Sequence, residues 1–240
     1  MKKLFIIFLL CFKSYGQSLN GLSGLIHVPS ARIIEDSKLH IGAAYIPESY
    51  FYRYGINKNP GLNTYVTFGF LPYLEVMFRY THELNLKVNT ETLYFPDRMF
   101  SFKLRILNER KLMPAIAFGA HDYGSVIART CLDCTNYSAT YFVASKFIKN
   151  KFGVFDLNLG YAFDIVDPIY GFFKLESKDF KDLFGGLTFE SNHLKNIFFI
   201  LEYDSKFINS GIKISLPNKF NFLIGLRNQS KLTASINIIL

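Results

Sequence analysis

The chain has 240 residues, of which half are hydrophobic and 17% are aromatic, while only 19% are charged. It contains 26 Phe and 15 Tyr but no Trp, a composition that is aromatic-rich and charge-poor for a soluble domain. The formal net charge of +8 comes without a Lys/Arg-rich block, a zinc-finger spacing or a single-strand-binding signature. The composition therefore favours one domain of ordinary size and argues against a nucleic-acid partner.

Residues 1–16 have the features of an export signal. Lys2-Lys3 precede the apolar run from Leu4 to Phe12, and small residues stand where a signal peptidase reads the chain, which predicts cleavage before Gln17. Cys11 follows Leu10 rather than a small residue, which argues against a lipoprotein site. The apolar run is too short to span a bilayer as a helix, and no later segment offers about 20 apolar residues. We expect export to the envelope of a Gram-negative bacterium and a mature chain without a transmembrane helix.

From Lys38 onward, apolar and polar residues alternate in segments separated by turns. In the stretch from Met99 to Ala120, Phe100 and Phe102 share one parity, whereas Lys103 and Arg105 share the other. This is the period of a β-strand, and the polar turn at residues 108–111 makes the stretch a hairpin. The same pattern recurs along the chain and predicts about twelve strands of the length that a tilted strand needs to cross a membrane.

The predicted connections alternate in length. Those after the even-numbered strands are short, whereas those after the first, third, fifth and seventh strands are long. A transmembrane barrel with both ends in the periplasm produces this asymmetry. Nothing in the architecture of a soluble β-sandwich sorts alternate connections by length. We predict an all-β protein, an antiparallel up-and-down β-barrel of about twelve strands over residues 38–240, in the outer membrane with both termini periplasmic. Residues 168–176 fit a loop excursion, an extended hairpin or part of a further strand.

Two sets of side chains follow from this topology. Tyrosines in the apolar register near the outer ends of strands are expected to form an aromatic belt at the lipid interface; they are Tyr45, Tyr80, Tyr161 and Tyr203. The charged residues of the opposite parity are expected to face the lumen; they are Glu75, Arg79, Lys103, Arg105, Lys146, Asp156, Glu190, Glu202, Asp204, Lys213 and Arg227. Their interpretation stays open between a polar conduit that binds sugars or anions and a wall cross-linked by ion pairs with little pore.

Residues 17–37 lack a sustained period, so we expect them to stay in the periplasm or to enter the lumen as a plug. Residues 21–32 read Gly-Leu-Ser-Gly-Leu-Ile-His-Val-Pro-Ser-Ala-Arg, and Gly42 and Pro47 follow. This stretch resembles the opening of the YjbH family, bacterial outer-membrane proteins linked to exopolysaccharide production. The residues that carry the resemblance are Gly24, Pro29, Ser30, Ala31, Arg32 and Gly42. Better-known members are much longer, so the resemblance implies a short, barrel-only version.

Cysteines and histidines offer little chemistry in the predicted loops. Cys131 and Cys134 lie in a loop expected outside the cell, where an oxidising compartment favours a disulfide over a vicinal redox pair. Two thiols are too few for a tetrahedral metal site without a second chain. His82 and His121, at the tops of their strands, do not belong to a motif with a positioned nucleophile and acid. We therefore expect no enzyme activity, no metal and no cofactor.

The resemblance implies a non-catalytic barrel that assists export or assembly of a surface exopolysaccharide. The alternatives are a porin-like channel for small solutes and a scaffold subunit of an outer-membrane secretion machine. Expected partners are outer-membrane lipid, and polysaccharide or periplasmic export and assembly proteins.

Overall fold

The computed structural model of the protein describes residues 16–48, 59–84, 87–88, 91–92, 97–122, 137–166, 174–175, 177–217 and 219–240. The predicted export signal up to residue 15, and the predicted disulfide between Cys131 and Cys134, lie outside these residues. Within them, no helix has the length and apolar character needed to cross a membrane.

The described chain is built from β-strands. In chain order they are β1 (Leu39–Ile46), β2 (Gly61–Phe70), β3 (Leu74–Glu83), β4 (Lys87–Val88), β5 (Glu91–Thr92), β6 (Asp97–Leu107), β7 (Ala115–His121), β8 (Ala139–Lys149), β9 (Gly153–Phe163), β10 (Ile165–Val166), β11 (Lys174–Leu175), β12 (Asp182–Ser191), β13 (Ile197–Tyr203), β14 (Ile208–Ser215), β15 (Phe220–Arg227) and β16 (Lys231–Ile239).

Twelve of these strands form a closed antiparallel barrel, in which β16 pairs with β1. The short strands form two separate two-stranded sheets, β4 with β5 and β10 with β11. Of residues 168–176 the structure describes Lys174–Leu175, which pairs with β10 outside the barrel sheet. The predicted all-β barrel of about twelve strands is confirmed.

The alternation seen in the sequence sorts side chains between the two faces of the barrel wall. In β2, Leu62, Val66 and Phe68 are exposed, whereas Tyr65 and Thr67 are buried. The same outward apolar parity continues through the other barrel strands, for example at Phe78 with 62% exposure. The polar face is therefore inside and the apolar face outside, the reverse of a soluble sandwich.

The two ends of the barrel differ. Short connections lie at the end where β1 begins and β16 finishes, which we call the turn end; the longer connections leave from the opposite, loop end. Leu39 and Leu240 meet at the turn end through two backbone hydrogen bonds, of 3.2 and 2.8 Å. One irregularity, a register shift between Arg105 and Leu107, falls where β6 approaches its turn into β7.

Candidate functional site inside the barrel

Residues 16–34, which we call the inner segment, lie inside the barrel. All of them are buried except the half-buried Gly24. The segment folds back on itself through isolated bridges between Gln17 and Ser23 and between Gly24 and Pro29. Its apolar side chains form the hydrophobic core together with inward residues of the wall such as Tyr65 and Met77. The lumen that twelve strands enclose is therefore filled by the chain's own N-terminal residues.

Glu202 on β13 binds the backbone of the inner segment. Its carboxylate accepts hydrogen bonds from the N–H groups of three successive residues, Ile26 at 2.9 Å, His27 at 3.0 Å and Val28 at 3.3 Å. Asn209 on β14 donates a further bond of 3.0 Å. Successive N–H groups that converge in this way form a concave anion site, and here the anion is a side chain of the barrel wall.

Glu75 on β3 holds the other side of the segment. Its carboxylate accepts bonds from the Ser23 N–H at 2.5 Å and the Ser23 hydroxyl at 2.6 Å, and from the Ile34 N–H at 3.2 Å. Lys103 on β6 lies 3.6 Å from the same carboxylate and donates to the Ser23 carbonyl at 2.6 Å. Both charged side chains are fully buried. The cost of burying each charge is offset by the opposite charge and by hydrogen bonds with the inner segment.

Further wall residues donate to carbonyls of the segment. Lys213 Nζ contacts the carbonyl oxygens of Gly16 at 3.0 Å and Gly24 at 2.9 Å. Asn63 on β2 donates to the Leu19 carbonyl at 3.0 Å. Buried backbone groups outside regular structure need partners, and the inward polar parity of the strands supplies them.

Arg32 anchors the end of the inner segment near the turn end. Its guanidinium makes a forked contact with Asp156, with distances of 3.2 Å from Nε and 2.6 Å from Nη2, and a 2.6 Å contact with Glu109. It also lies over the ring of Phe147, 3.7 Å from the centroid. Partial burial opposes ionisation of Glu109, but the hydrogen bonds from Arg32 and the Phe147 N–H hold its pKa below the ordinary value.

A buried polar cluster lies toward the loop end. Asp179 accepts a hydrogen bond of 2.9 Å from Asn20 and lies 2.9 Å from His27 Nε2 and 3.5 Å from His121 Nδ1. Arg79 donates to Asn20 at 2.5 Å. Burial works to raise the pKa of Asp179, but the charges and hydrogen bonds of the two histidines hold it well below its usual range. Sequence reasoning missed Asp179 because it lies in a connection without any period.

The remaining predicted interior charges lie nearer the rims of the barrel. Arg105 donates to the Pro72 carbonyl in the turn after β2. Glu190 accepts a bond of 3.1 Å from the Asn196 N–H. Asp204 lies 3.5 Å from Arg227, and both are buried.

Lys146 differs from its predicted lumenal position. It pairs in register with Leu157, whose side chain is 38% exposed, while the inward parity of β8 is that of Tyr141 and Ser145. Its ammonium lies 3.3 Å from Glu109 and also contacts carbonyls of the adjoining turn. A flexible Lys stem at the rim reaches the turn from the outward parity, so Lys146 belongs to the wall surface rather than to the lumen.

The predicted belt tyrosines occupy similar positions on different strands. Tyr45, Tyr80, Tyr161 and Tyr203 all lie near the loop end, with exposed fractions between 38% and 52%. Gly42, from the family-like set, faces inward. A Cβ atom at this position would lie 2.5 Å from Tyr65 Cζ, so the absence of a side chain lets the buried ring pack against the wall.

A model of the family described as "Exopolysaccharide biosynthesis protein YbjH" matches residues 16–238, which include the inner segment and nearly the whole barrel. The chain belongs to the YjbH family. This membership confirms the resemblance seen in the sequence, and the description of the family names exopolysaccharide biosynthesis.

One similar protein is the "Uncharacterized lipoprotein YjbH" of Escherichia coli strain K12. It is 30% identical to this chain over 144 residues, which cover 60% of this chain and 18% of that relative. The matched region is thus less than a fifth of the YjbH lipoprotein.

Among the residues that the structure describes, no group of three or more His, Cys, Asp or Glu side chains is arranged to hold a metal ion.

Proposed function

We propose that this YjbH-family protein is an outer-membrane barrel that assists the export or assembly of a surface exopolysaccharide without catalysing a reaction itself. The observation that carries the proposal is the family match over a barrel with an apolar exterior, whose lumen is filled by the segment bearing the family-like residues. The family match supports the exopolysaccharide role, and the apolar exterior of the barrel supports the membrane location.

The outer surface supports insertion into a bilayer. Phe78, Leu159 and Ile224 are examples of large apolar side chains that point outward at mid-strand, with exposed fractions of 62%, 60% and 56%. Such a surface is costly in water and favourable against lipid tails. The tyrosines near the loop end suit the interface between lipid and water. With the short turns on the periplasmic side, the start of β1 and Leu240 would lie at the periplasmic end of the barrel.

The filled interior supports an assisting role over an open porin. A porin-like solute channel needs a continuous aqueous path, whereas here residues 16–34 bind the wall through Glu75, Glu202 and Lys213. Liposome swelling with small sugars tests this directly. We expect little swelling with the wild type and faster swelling with a chain lacking residues 17–34; equally fast swelling with both would favour the channel.

The exopolysaccharide role is tested in a strain lacking the gene. We expect less extracellular polysaccharide in the deletion strain and recovery on expression of the wild-type chain, with outer-membrane fractionation of the expressed protein as the check on location. Unchanged polysaccharide in the deletion strain would disprove the proposed role, and recovery of the protein only in soluble fractions would disprove the location.

A further inference from the structure

A cavity of about 690 Å³ opens at the turn end of the barrel. Its volume falls within the range of small-ligand sites, about 300–1,000 Å³. Polar side chains from several strands and turns line it: His40, Asn192, Asn196, Ser215 and Asn221. Apolar surface comes from Phe198, Leu216, Pro217 and Ile239. Amides and hydroxyls next to apolar patches are the groups that can bind the hydroxyls and the C–H faces of sugar rings.

The cavity also carries an excess of positive charge. Four lysines line it, Lys38, Lys149, Lys195 and Lys219, against two carboxylates, Glu35 and Glu190. None of the four ammonium groups forms an ion pair with another residue that the structure describes. The buried lysines of the lumen, by contrast, are engaged by the inner segment and its carboxylate partners. The positive charge at the turn end is therefore available to a ligand.

Two buried polar atoms of the lining lack partners. Nδ1 of His40, a residue that is 3% exposed, and Oγ of Ser215 make no hydrogen bond within the described part of the chain. Leaving a buried polar group unpaired costs about 1–3 kcal/mol. Turned toward the cavity, either side chain would offer its unpaired atom to a hydroxyl group of a bound saccharide, which makes these two atoms a second indication of a ligand beside the lysines.

We propose that this cavity binds a carboxylate-bearing segment of a polysaccharide, with the lysines contacting the carboxylates and the amides, Ser215 and His40 contacting hydroxyls. The inference rests on the proposed function, whose substrate class it names as acidic. With the turn end in the periplasm, the cavity would meet the polymer before it crosses the outer membrane.

Binding of tetragalacturonate to the purified full chain in detergent, measured by isothermal titration calorimetry, tests the proposal. We expect binding that weakens as salt rises and an affinity about tenfold lower in the double variant Lys195→Gln/Lys219→Gln. The charge-conserving Lys195→Arg/Lys219→Arg should retain most of the affinity. The matched control is Lys181→Gln/Lys231→Gln, which removes two lysines from the loop end and should bind as the wild type does.

Three results would overturn the proposal: no binding of tetragalacturonate, equal binding of neutral maltotetraose, or equal loss in the control variant. Displacement by inorganic phosphate at matched ionic strength would indicate a general anion site and would remove the saccharide from the proposal. The deletion strain distinguishes failure of the proposed function from failure of the proposed binding site. If it keeps its polysaccharide while the chain binds tetragalacturonate, the proposed function fails and the cavity stands; the reverse pair of results leaves the function and rejects the cavity.

Discussion

Removing the Glu202 carboxylate should release the inner segment from the barrel wall. In Glu202→Ala, the N–H groups of Ile26, His27 and Val28 lose their shared acceptor. Each buried donor left unpaired costs about 1–3 kcal/mol, so the gross cost is about 3–9 kcal/mol. Water entering the space left by the side chain recovers part of this, and we expect a net loss of about 3–5 kcal/mol, most of it in segment docking.

Trypsin reports this release without a label. Cleavage after Arg32 requires a residue that is 5% exposed and bound to Asp156 to leave the barrel. We expect slow cleavage in the wild type, fast cleavage in Glu202→Ala, and an intermediate rate in Glu202→Gln, which keeps one acceptor oxygen. Peptides ending at Arg32 are identified by mass spectrometry, and the heat-dependent gel shift of folded barrels checks that the wall remains intact.

Glu190→Ala is the control, because Glu190 is a partly exposed wall carboxylate that accepts a bond from the turn residue Asn196 rather than from the inner segment. Its cleavage rate at Arg32 should match the wild type. Unchanged cleavage in Glu202→Ala, in a barrel that is still folded, would refute the assignment of the three N–H groups as the main attachment.

Three further predictions concern residues in the barrel interior. Lys103→Met leaves the buried Glu75 carboxylate without its cation, and we expect about 3–5 kcal/mol lower stability in urea titrations, partly restored by Glu75→Gln in the same chain. Gly42→Val places a side chain against Tyr65 and should cost about 1–3 kcal/mol, with recovery in Gly42→Val/Tyr65→Leu; no recovery would exclude the clash. Because the folded pKa of Asp179 is lowered, its contribution is present at neutral pH and is lost as pH falls below about 4; Asp179→Asn should flatten this acid limb, measured by the urea midpoint.

The barrel was predictable from the sequence because its signal is periodic. In β3 a change of one residue moves every side chain to the other face, so the outward Tyr80 and the inward Glu75 and Arg79 followed from parity alone. Lys146 shows the limit of the rule. Near a strand end, a long side chain can reach the turn from either face, so the parity of a charged residue there was a poor guide to its position.

The interior contacts were not predictable, because they join wall residues to a segment without any period. The inward position of Glu202 follows from β13, but its binding to three backbone N–H groups depends on the local path of residues 25–28. The same holds for Lys103, whose lumenal position was predicted but whose bond to the carbonyl of Ser23 was not. Alternation in the sequence predicts which face of a strand a side chain occupies. It does not predict where the backbone groups of an irregular segment lie.

The way the interior is filled explains where function can lie. A barrel of twelve strands is wide enough to leave a lumen that wall side chains need not fill. Here Glu75, Glu202 and Lys213 form hydrogen bonds with the inner segment rather than with a solute. These charged groups already have hydrogen-bond partners within the chain. The lysines of the turn-end cavity remain without carboxylate partners in the described structure, so the electrostatic field that a polymer would meet is set at this mouth. Substitutions in the lumen should therefore change how firmly the segment is held, and substitutions at the mouth should change what is bound.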